Sequence, residues 1–381
     1  MFRELKIKRK YFAYILVIIL IFEITVNPVS SENIHKIIKK KELQNNNLFI
    51  RSPAEYEPVN NLLLIWPKWR SPSDGIIQIN YFIELIKYSE DIINITLFVD
   101  NLIIKQRVIN TLKENKIFLD NITIINHFTN SIWVRDYGPF FIKENGKISV
   151  VDFYFHGYTI FPDIMDNFFP FFYSLKNKLK YRSFSSLFLG IQGGNFMCDD
   201  NGTGFVGDRI FYQDNPKKSK DLIIENLKNN LGLKNLIILK SQNLSIKNGG
   251  DGTGHIDMFT KILNQTTILV GQYNDTNDSN YQTLEYNAEL LNNLGYNVVR
   301  IPMLRDPKNN MFIWTYTNSL IINNGEEKVV LLPLYNIPED QIAISIYEEN
   351  MPDYQIRGIN CTTIIKSLGA IHCTTITVPL I

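Results

Sequence analysis

The chain has 381 residues, and its 39 basic and 38 acidic side chains leave a net charge of +1, which excludes a nucleic-acid binder driven by bulk charge. Apolar residues at 45% and aromatics at 12% supply ample material for a large packed core. The three cysteines, Cys198, Cys361 and Cys373, show no CxxC spacing, so neither a structural zinc nor a complete disulfide set is expected.

Lys6, Lys8, Arg9 and Lys10 precede an apolar run from Tyr11 to Phe22, and Val29-Ser30-Ser31 supplies small residues after it. The run is short for a membrane span, which needs ~20 residues, so residues 1–31 read as a signal peptide rather than an uncleaved anchor. This places the protein outside the cytoplasm. Residues 32–50, rich in Lys and Asn, read as a linker, and 51–381 as one domain.

Within that domain Asn61–Trp66 reads as a buried strand, and Asp74 as the cap of a helix over Ile76–Tyr88. Ile95–Val99 and Ile122–Ile125 are strands flanking a helix from Asn101 to Lys116. Phe140–Lys143 and Lys147–Phe155 form a hairpin across Asn145-Gly146, followed by a helix over Phe168–Lys180. Asn195–Cys198 and Phe205–Val206 are strands, 219–231 a helix and Asn235–Leu239 a strand. His255–Leu263 pairs with Thr266–Gly271, and a helix at 280–294 leads to a strand at 297–301. Ile313–Ile322 and Lys328–Leu332 pair over Asn324-Gly325, a strong hairpin signal. A helix at 338–349, a strand at Gln355–Ile359 and a terminal strand complete the chain. The order is α/β, with hairpins and helix-strand pieces recurring every ~60–70 residues, a pattern that suits a closed radial arrangement. No Gly-x-Gly-x-x-Gly opens a helix, so a dinucleotide fold has no support.

Four stretches place polar groups beside glycines at strand starts: Trp133 to Pro139, Gln192 to Asn195, Gly252 to Asp257, and the tail around Cys373. His255 and Asp257 are two apart, so on a strand both face one side, either a shared cavity or solvent. Asp136 alone fits a salt bridge to Arg135 or a turn before Gly138-Pro139, and Cys373 alone fits apolar filler as well as a nucleophile.

Taken in order, these motifs resemble the guanidine-modifying pentein superfamily, and within it the family of agmatine deiminases and the Porphyromonas-type peptidylarginine deiminase. The matching segments are W-x-R-D-Y-G-P at Asp136, V-D-F at Asp152, Q-G-G-N at Gln192, G-H-I-D at His255, Y-T-N-S-L-I at Asn318, M-P-x-Y at Met351 and A-I-H-C at Cys373. The resemblance implies an α/β-propeller of five pseudo-symmetric ββαβ-type units around a central active-site channel. It implies that Asp136 and Asp257 hold a guanidinium, that His255 is general acid and base, and that Cys373 is the nucleophile. Trp133, Asn318 and Asn195 are expected to line the substrate. His372, on the opposite face of a strand from its neighbour, is expected to pack or orient. No metal or organic cofactor is required, and no partner beyond a guanidino substrate is implied, neither nucleic acid nor membrane apart from an uncleaved signal anchor.

The chain departs from typical agmatine deiminases. It has Gln192-Gly193-Gly194 where they have Glu-Gly-Gly, and it lacks their Gly-Trp-Gly-Gly segment. It also lacks arginines between Arg135 and Arg182, the region where the peptidylarginine type grips a C-terminal carboxylate. Export makes a protein-bound arginine the first expected substrate and agmatine the second. Rival readings are an amidinotransferase, a metal-bound phosphodiesterase using Asp136, His255 and Asp257, and an inactive binding protein.

Overall fold

Short apolar runs separated by Asn, Gly and Pro turns fold here into five small sheets rather than one large one. The computed structural model describes residues 50–67, 72–157, 164–182, 189–306, 309 and 311–381. The predicted signal peptide and all of the linker before residue 50 lie outside the described residues. Residues 49–381 form one compact unit.

In chain order the elements are β1 (Ile50–Arg51), β2 (Val59–Ile65), α1 (Pro72–Lys87), β3 (Asn94–Val99), α2 (Leu102–Glu114) and β4 (Ile122–Asn126). Then come α3 (Val134–Tyr137), β5 (Phe140–Glu144), β6 (Lys147–Val151), α4 (Ile164–Lys176) and β7 (Lys180–Arg182). The middle holds β8 (Phe196–Cys198), β9 (Thr203–Gly207), α5 (Lys220–Leu231), β10 (Asn235–Leu239), β11 (Thr260–Ile262), β12 (Thr267–Gln272), α6 (Tyr281–Asn293), β13 (Asn297–Arg305) and β14 (Ile313–Thr315). The last elements are β15 (Leu320–Asn323), β16 (Lys328–Leu334), α7 (Glu339–Asn350), β17 (Gln355–Asn360) and β18 (Thr375–Pro379).

One strand logic recurs. An antiparallel pair is followed by a helix that returns the chain to a parallel third strand. The pairs β5/β6, β8/β9, β11/β12 and β15/β16 are antiparallel. Their parallel partners, reached through α4, α5, α6 and α7, are β7, β10, β13 and β17. In the remaining sheet, ordered β18-β2-β3-β4, the antiparallel partner of β2 is the last strand of the chain. The strands that carry the parallel crossovers are buried on both faces, which is why Leu62–Ile65 and Val329–Leu332 read as continuous apolar runs rather than alternating ones.

Helix ends follow local chemistry. Asn101 accepts hydrogen bonds from the amides of Ile103 and Ile104 at the start of α2, and Ser219 accepts from Leu222 at the start of α5. Gly232 closes α5 at φ +65°, a left-handed position that favours glycine. Helix α1 begins at Pro72, so Asp74 sits inside it and is not its cap.

The expected strands that reach the polar stretches are shorter or interrupted, and the polar residues fall outside the ladders. The predicted His255–Leu263 strand starts only at Thr260. Gly252 and Gly254 take left-handed φ values, and Asp251 Oδ1 accepts from the Thr253 and Gly254 amides, which bends the chain away from a ladder. Asn195 likewise belongs to a 3-10 turn, Gly193–Asn195, ahead of β8. The predicted strand Ile313–Ile322 breaks at Tyr316–Ser319: β14 pairs with β13 in one sheet, and β15 pairs with β16 in the next. Among the described residues, no helix is long and apolar enough to cross a membrane.

Candidate active site

The leading strand of each sheet is preceded by a tight turn or loop, and these five segments carry the polar residues singled out above. Helix α3, a single turn, precedes β5 and carries Asp136. The turn Gly193–Asn195 precedes β8 and follows Gln192. The 3-10 turn Ile256–Met258 precedes β11, with His255 at its start and Asp257 within it. The loop before β15 carries Asn318, and the turn His372–Thr374 before β18 carries Cys373. In the Cys373 segment the Thr374 and Thr375 hydroxyls donate back to the Ala370 and Ile371 carbonyls, satisfying the turn before the ladder begins.

The side chains converge. Nδ1 of His255 lies 3.5 Å from Asp136 Oδ1, and its Nε2 lies 2.8 Å from Gln192 Oε1. A Cβ added to Gly194 would meet His255 Nδ1 at 2.7 Å, Asp257 Oδ2 at 3.0 Å and Asp136 Oδ1 at 3.1 Å. The three groups therefore bound one space, and only glycine at position 194 leaves it open. The Cys373 Sγ lies 3.5 Å from Asp257 Oδ2 and 3.2 Å from Asn318 Nδ2. Asn318 Oδ1 accepts from the amides of Ala370 (3.1 Å) and Cys373 (3.3 Å), so one amide fixes both the thiol and its backbone. Trp133 is adjacent: a Cβ on Gly369 would lie 2.6 Å from its Cζ3 and 3.0 Å from the Cys373 Sγ.

Behind this layer runs a charged brace. His372 Nδ1 contacts Asp257 Oδ2 at 2.7 Å, and its Nε2 contacts Glu55 Oε2 at 3.0 Å. Lys261 Nζ donates to Glu55 Oε1 at 2.5 Å and to the Ser319 carbonyl at 2.7 Å. Arg135 Nε donates to the His372 carbonyl at 3.3 Å.

The electrostatics follow from burial and these partners. Burial alone would raise the Asp257 pKa, but the His372 hydrogen bond and charge hold it below the ordinary range, so it stays ionised. Burial pushes His255 down to about 3, with Arg209 adding to the fall against the opposing pull of Asp257. Burial and then the Asp257 and Asp136 carboxylates push the Cys373 thiol well above the usual range. The site in its resting form is thus a neutral imidazole and a protonated thiol facing two acidic side chains. Planar and cationic guanidinium, with five N–H donors, complements such a pair of carboxylates.

Asp136, His255, Asp257, Cys373, Asn318 and Trp133 come together as expected from the sequence. Asn195 does not. Its Nδ2 donates to the Gly207 carbonyl (3.2 Å) and its Oδ1 accepts from the Gly207 amide (3.1 Å), so both ends of the amide tie the turn to β9. His372 also corrects the expectation, because it sits in a turn, not on a strand, and its ring points at Asp257. The thiol has acidic rather than cationic neighbours at its Sγ. Glu55 and Lys261 were not singled out for the site by the sequence, since a Glu in a Pro-flanked lead-in and a Lys in an apolar strand carry no spacing signal, and Gln192 was marked only as part of its motif, with no role of its own. Among the described residues, no three His, Cys, Asp or Glu side chains are grouped so as to hold a metal ion.

Comparison with known proteins agrees with this geometry. A family model described as Porphyromonas-type peptidyl-arginine deiminase matches residues 51–379. A Mycoplasma capricolum protein provisionally named an agmatine deiminase is 24% identical over 369 residues, covering 85% of this chain and 94% of its own. Among solved structures, a substrate-bound agmatine deiminase of C. jejuni superposes with a TM-score of 0.77 at 22% identity, covering 87% of this chain and 97% of its own. A Porphyromonas gingivalis protein provisionally named an arginine deiminase superposes with a TM-score of 0.73 at 25% identity, covering 87% and 98%. With the family's match spanning nearly the whole compact unit, this chain belongs to the Porphyromonas-type peptidyl-arginine deiminase family, in the pentein superfamily, and is a hydrolase acting on guanidino C–N bonds.

Proposed function

We propose that this guanidino deiminase acts on agmatine, releasing ammonia and N-carbamoylputrescine through a covalent intermediate on Cys373. The observation that carries the reading is the convergence of Asp136, His255, Asp257 and Cys373 on the space bounded by Gly194. The guanidinium lies between the two carboxylates, each accepting N–H donors, with its central carbon facing the thiol. Its positive charge offsets the carboxylates that hold the thiol proton. His255 Nδ1 takes that proton, and the sulfur electron pair forms the C–S bond. Nδ1 then gives the proton to the departing nitrogen, which leaves as ammonia. Water attacks the cationic amidino-thioether while the same Nδ1 takes one of its protons. The C–S bond breaks as the remaining hydroxyl proton passes to sulfur to give the neutral ureido product and the thiol, and the proton on Nδ1 leaves with ammonia as ammonium. The ureido group is neutral, so it loses its attraction to the carboxylates and dissociates.

Agmatine takes precedence over protein-bound arginine, reversing the order expected from export alone. The curated relatives carry agmatine deiminase names. The arginine beside His255, Arg209, is already engaged by Asp214 at 2.8 Å and by the Thr253 carbonyl, which leaves it poorly placed to grip a substrate carboxylate. Peptidyl-arginine is the second reading, supported by the description of the matching family. The same proposal includes export through residues 1–31, supported by their charge and apolar pattern, and a closed ring of five sheets about the site, supported by the five turns that supply it.

The test is a panel of agmatine, a peptidyl-arginine and free arginine, given to protein lacking residues 1–31 and scored for ureido product and ammonia. Agmatine is expected to turn over with the highest kcat/KM. A higher value for the peptide reverses the substrate order, and no product from any of the three overturns the reading. Cys373→Ser is expected to abolish turnover with an unchanged circular dichroism spectrum; residual activity near wild type removes the nucleophile assignment.

A further inference from the structure

Gln192 has no place in the reaction as written, yet it makes the one hydrogen bond that fixes which nitrogen of His255 is available. The His255 ring is 1% exposed and Gln192 6% exposed, so neither exchanges this partner for bulk water. The contact runs from His255 Nε2 to Gln192 Oε1 at 2.8 Å. An amide oxygen accepts and never donates, so the ring nitrogen in contact with it carries the proton. The other nitrogen, Nδ1, has no hydrogen-bond partner among the described residues and opens onto the space between Asp136 and Asp257.

We infer that Gln192 is a positioning residue that holds His255 in its Nε2–H tautomer, leaving Nδ1 as the ring atom that accepts a proton from the chamber, and that its lack of charge keeps the ring neutral. The inference rests on the reading of His255 as the proton carrier. A neutral acceptor at this position matters because the remaining neighbours pull in opposite directions. Asp257, in the same turn, and Asp136, from α3, favour the imidazolium. Arg209, from the segment after β9, and His372, from the turn before β18, disfavour it. The thiol of Cys373 completes the set and is uncharged in the resting site. A carboxylate at position 192 would tip this balance by placing a charge in direct contact with Nε2–H. The ring would then hold its proton to a higher pH, which narrows the range over which it can accept one from the thiol. The amide keeps the orienting bond and omits the charge.

Two substitutions separate these roles. Gln192→Glu keeps an acceptor and adds charge, while Gln192→Leu removes the acceptor at similar volume. Nitrogen-15 spectra of the resting full-length protein read the tautomer without any turnover, and single His replacements assign the His255 signals. The wild type is expected to show a protonated Nε2 and an unprotonated Nδ1 from pH 5 to 9. Gln192→Glu is expected to move the acid limb of kcat/KM up by about 1–3 pH units, the span a contacting charge imposes, because the form that must be neutral now stays protonated to higher pH. Gln192→Leu is expected to mix the tautomers and lower kcat with little change in KM. A wild-type ring protonated on Nδ1, or a Gln192→Glu profile that superposes on wild type, overturns the inference. A wild type that deiminates no guanidine while showing the Nε2–H tautomer overturns the functional reading and leaves the positioning result standing, so the two failures are distinct.

Discussion

Cys373 is surrounded by features that disfavour its thiolate: it is 3% exposed and faces Asp257 at 3.5 Å. In the mechanism proposed above, the cation that lowers its pKa is the substrate itself. Cys198 and Cys361 are also pushed up by burial, so the resting enzyme has no thiol primed for alkylation. Iodoacetamide labelling of Cys373 is therefore expected to climb steadily with pH through about 9, with no plateau near neutrality. A plateau near pH 7, followed by peptide mapping to Cys373, would show a stabilised thiolate and contradict this account. Asp136 lies on the other side of the chamber. Asp136→Asn leaves its volume but withdraws the charge, and kcat/KM on agmatine is expected to fall by about 2–4 kcal/mol in transition-state terms. At this scale the sequence was informative, because Asp136, His255, Asp257 and Cys373 sit in motifs whose order is diagnostic. Gln192 and Glu55 were opaque because their roles depend on which distant ring each one meets.

Turns, rather than the strands inferred from apolar alternation, deliver the site. Period-two patterning finds β11 and β15 but overruns their starts, since a buried polar turn is bordered by the same apolar residues as a strand. Strand geometry left His255 and Asp257 facing either a shared cavity or solvent, and the turn that this segment actually forms puts both in the cavity. The Gln192-Gly193-Gly194 segment shows what the turn requires. At Gly193 a Cβ would meet the Arg135 carbonyl oxygen at 2.0 Å, so that glycine permits the approach of two turns. At Gly194 a Cβ would instead enter the chamber. Gly194→Ala is expected to lower kcat/KM by about 100-fold or more, because a methyl 2.7 Å from Nδ1 displaces either the ring or the guanidinium. The fold should survive, as the conflict is with the chamber's contents and not with backbone. Wild-type kcat/KM in this variant would mean that the guanidinium binds elsewhere.

Across the whole molecule the ends of the compact unit are tied together twice. The last strand, β18, is antiparallel to β2, and Glu55, just before β2, reaches both His372 and Lys261. Strand order was partly legible, since hairpin signals such as Asn324-Gly325 are local. The partnership of β18 with β2 was not, because no local pattern says which of several exposed edges a terminal strand will fill. Lys261 is the sharper case: fully buried, in an apolar strand, it depends on Glu55, 206 positions away. Burial lowers its pKa, and Glu55 resists that shift. Burial would raise Glu55, but Lys261 and His372 hold it well below the usual carboxylate range. Lys261→Met leaves Glu55 with only part of its compensation and is expected to cost about 3 kcal/mol in urea unfolding at neutral pH. The double variant Lys261→Met with Glu55→Gln should cost less than the sum of the single changes, since each single change strands the other's charge. A group with a depressed folded pKa contributes stability above its unfolded value, about 4.3 for Glu, and loses it as pH falls through the folded one. The gap between wild type and Lys261→Met should therefore narrow steadily below about pH 4. A gap that is independent of pH, or strictly additive single and double variants, would show that the brace is packing alone and that charge does not join the two ends of the fold.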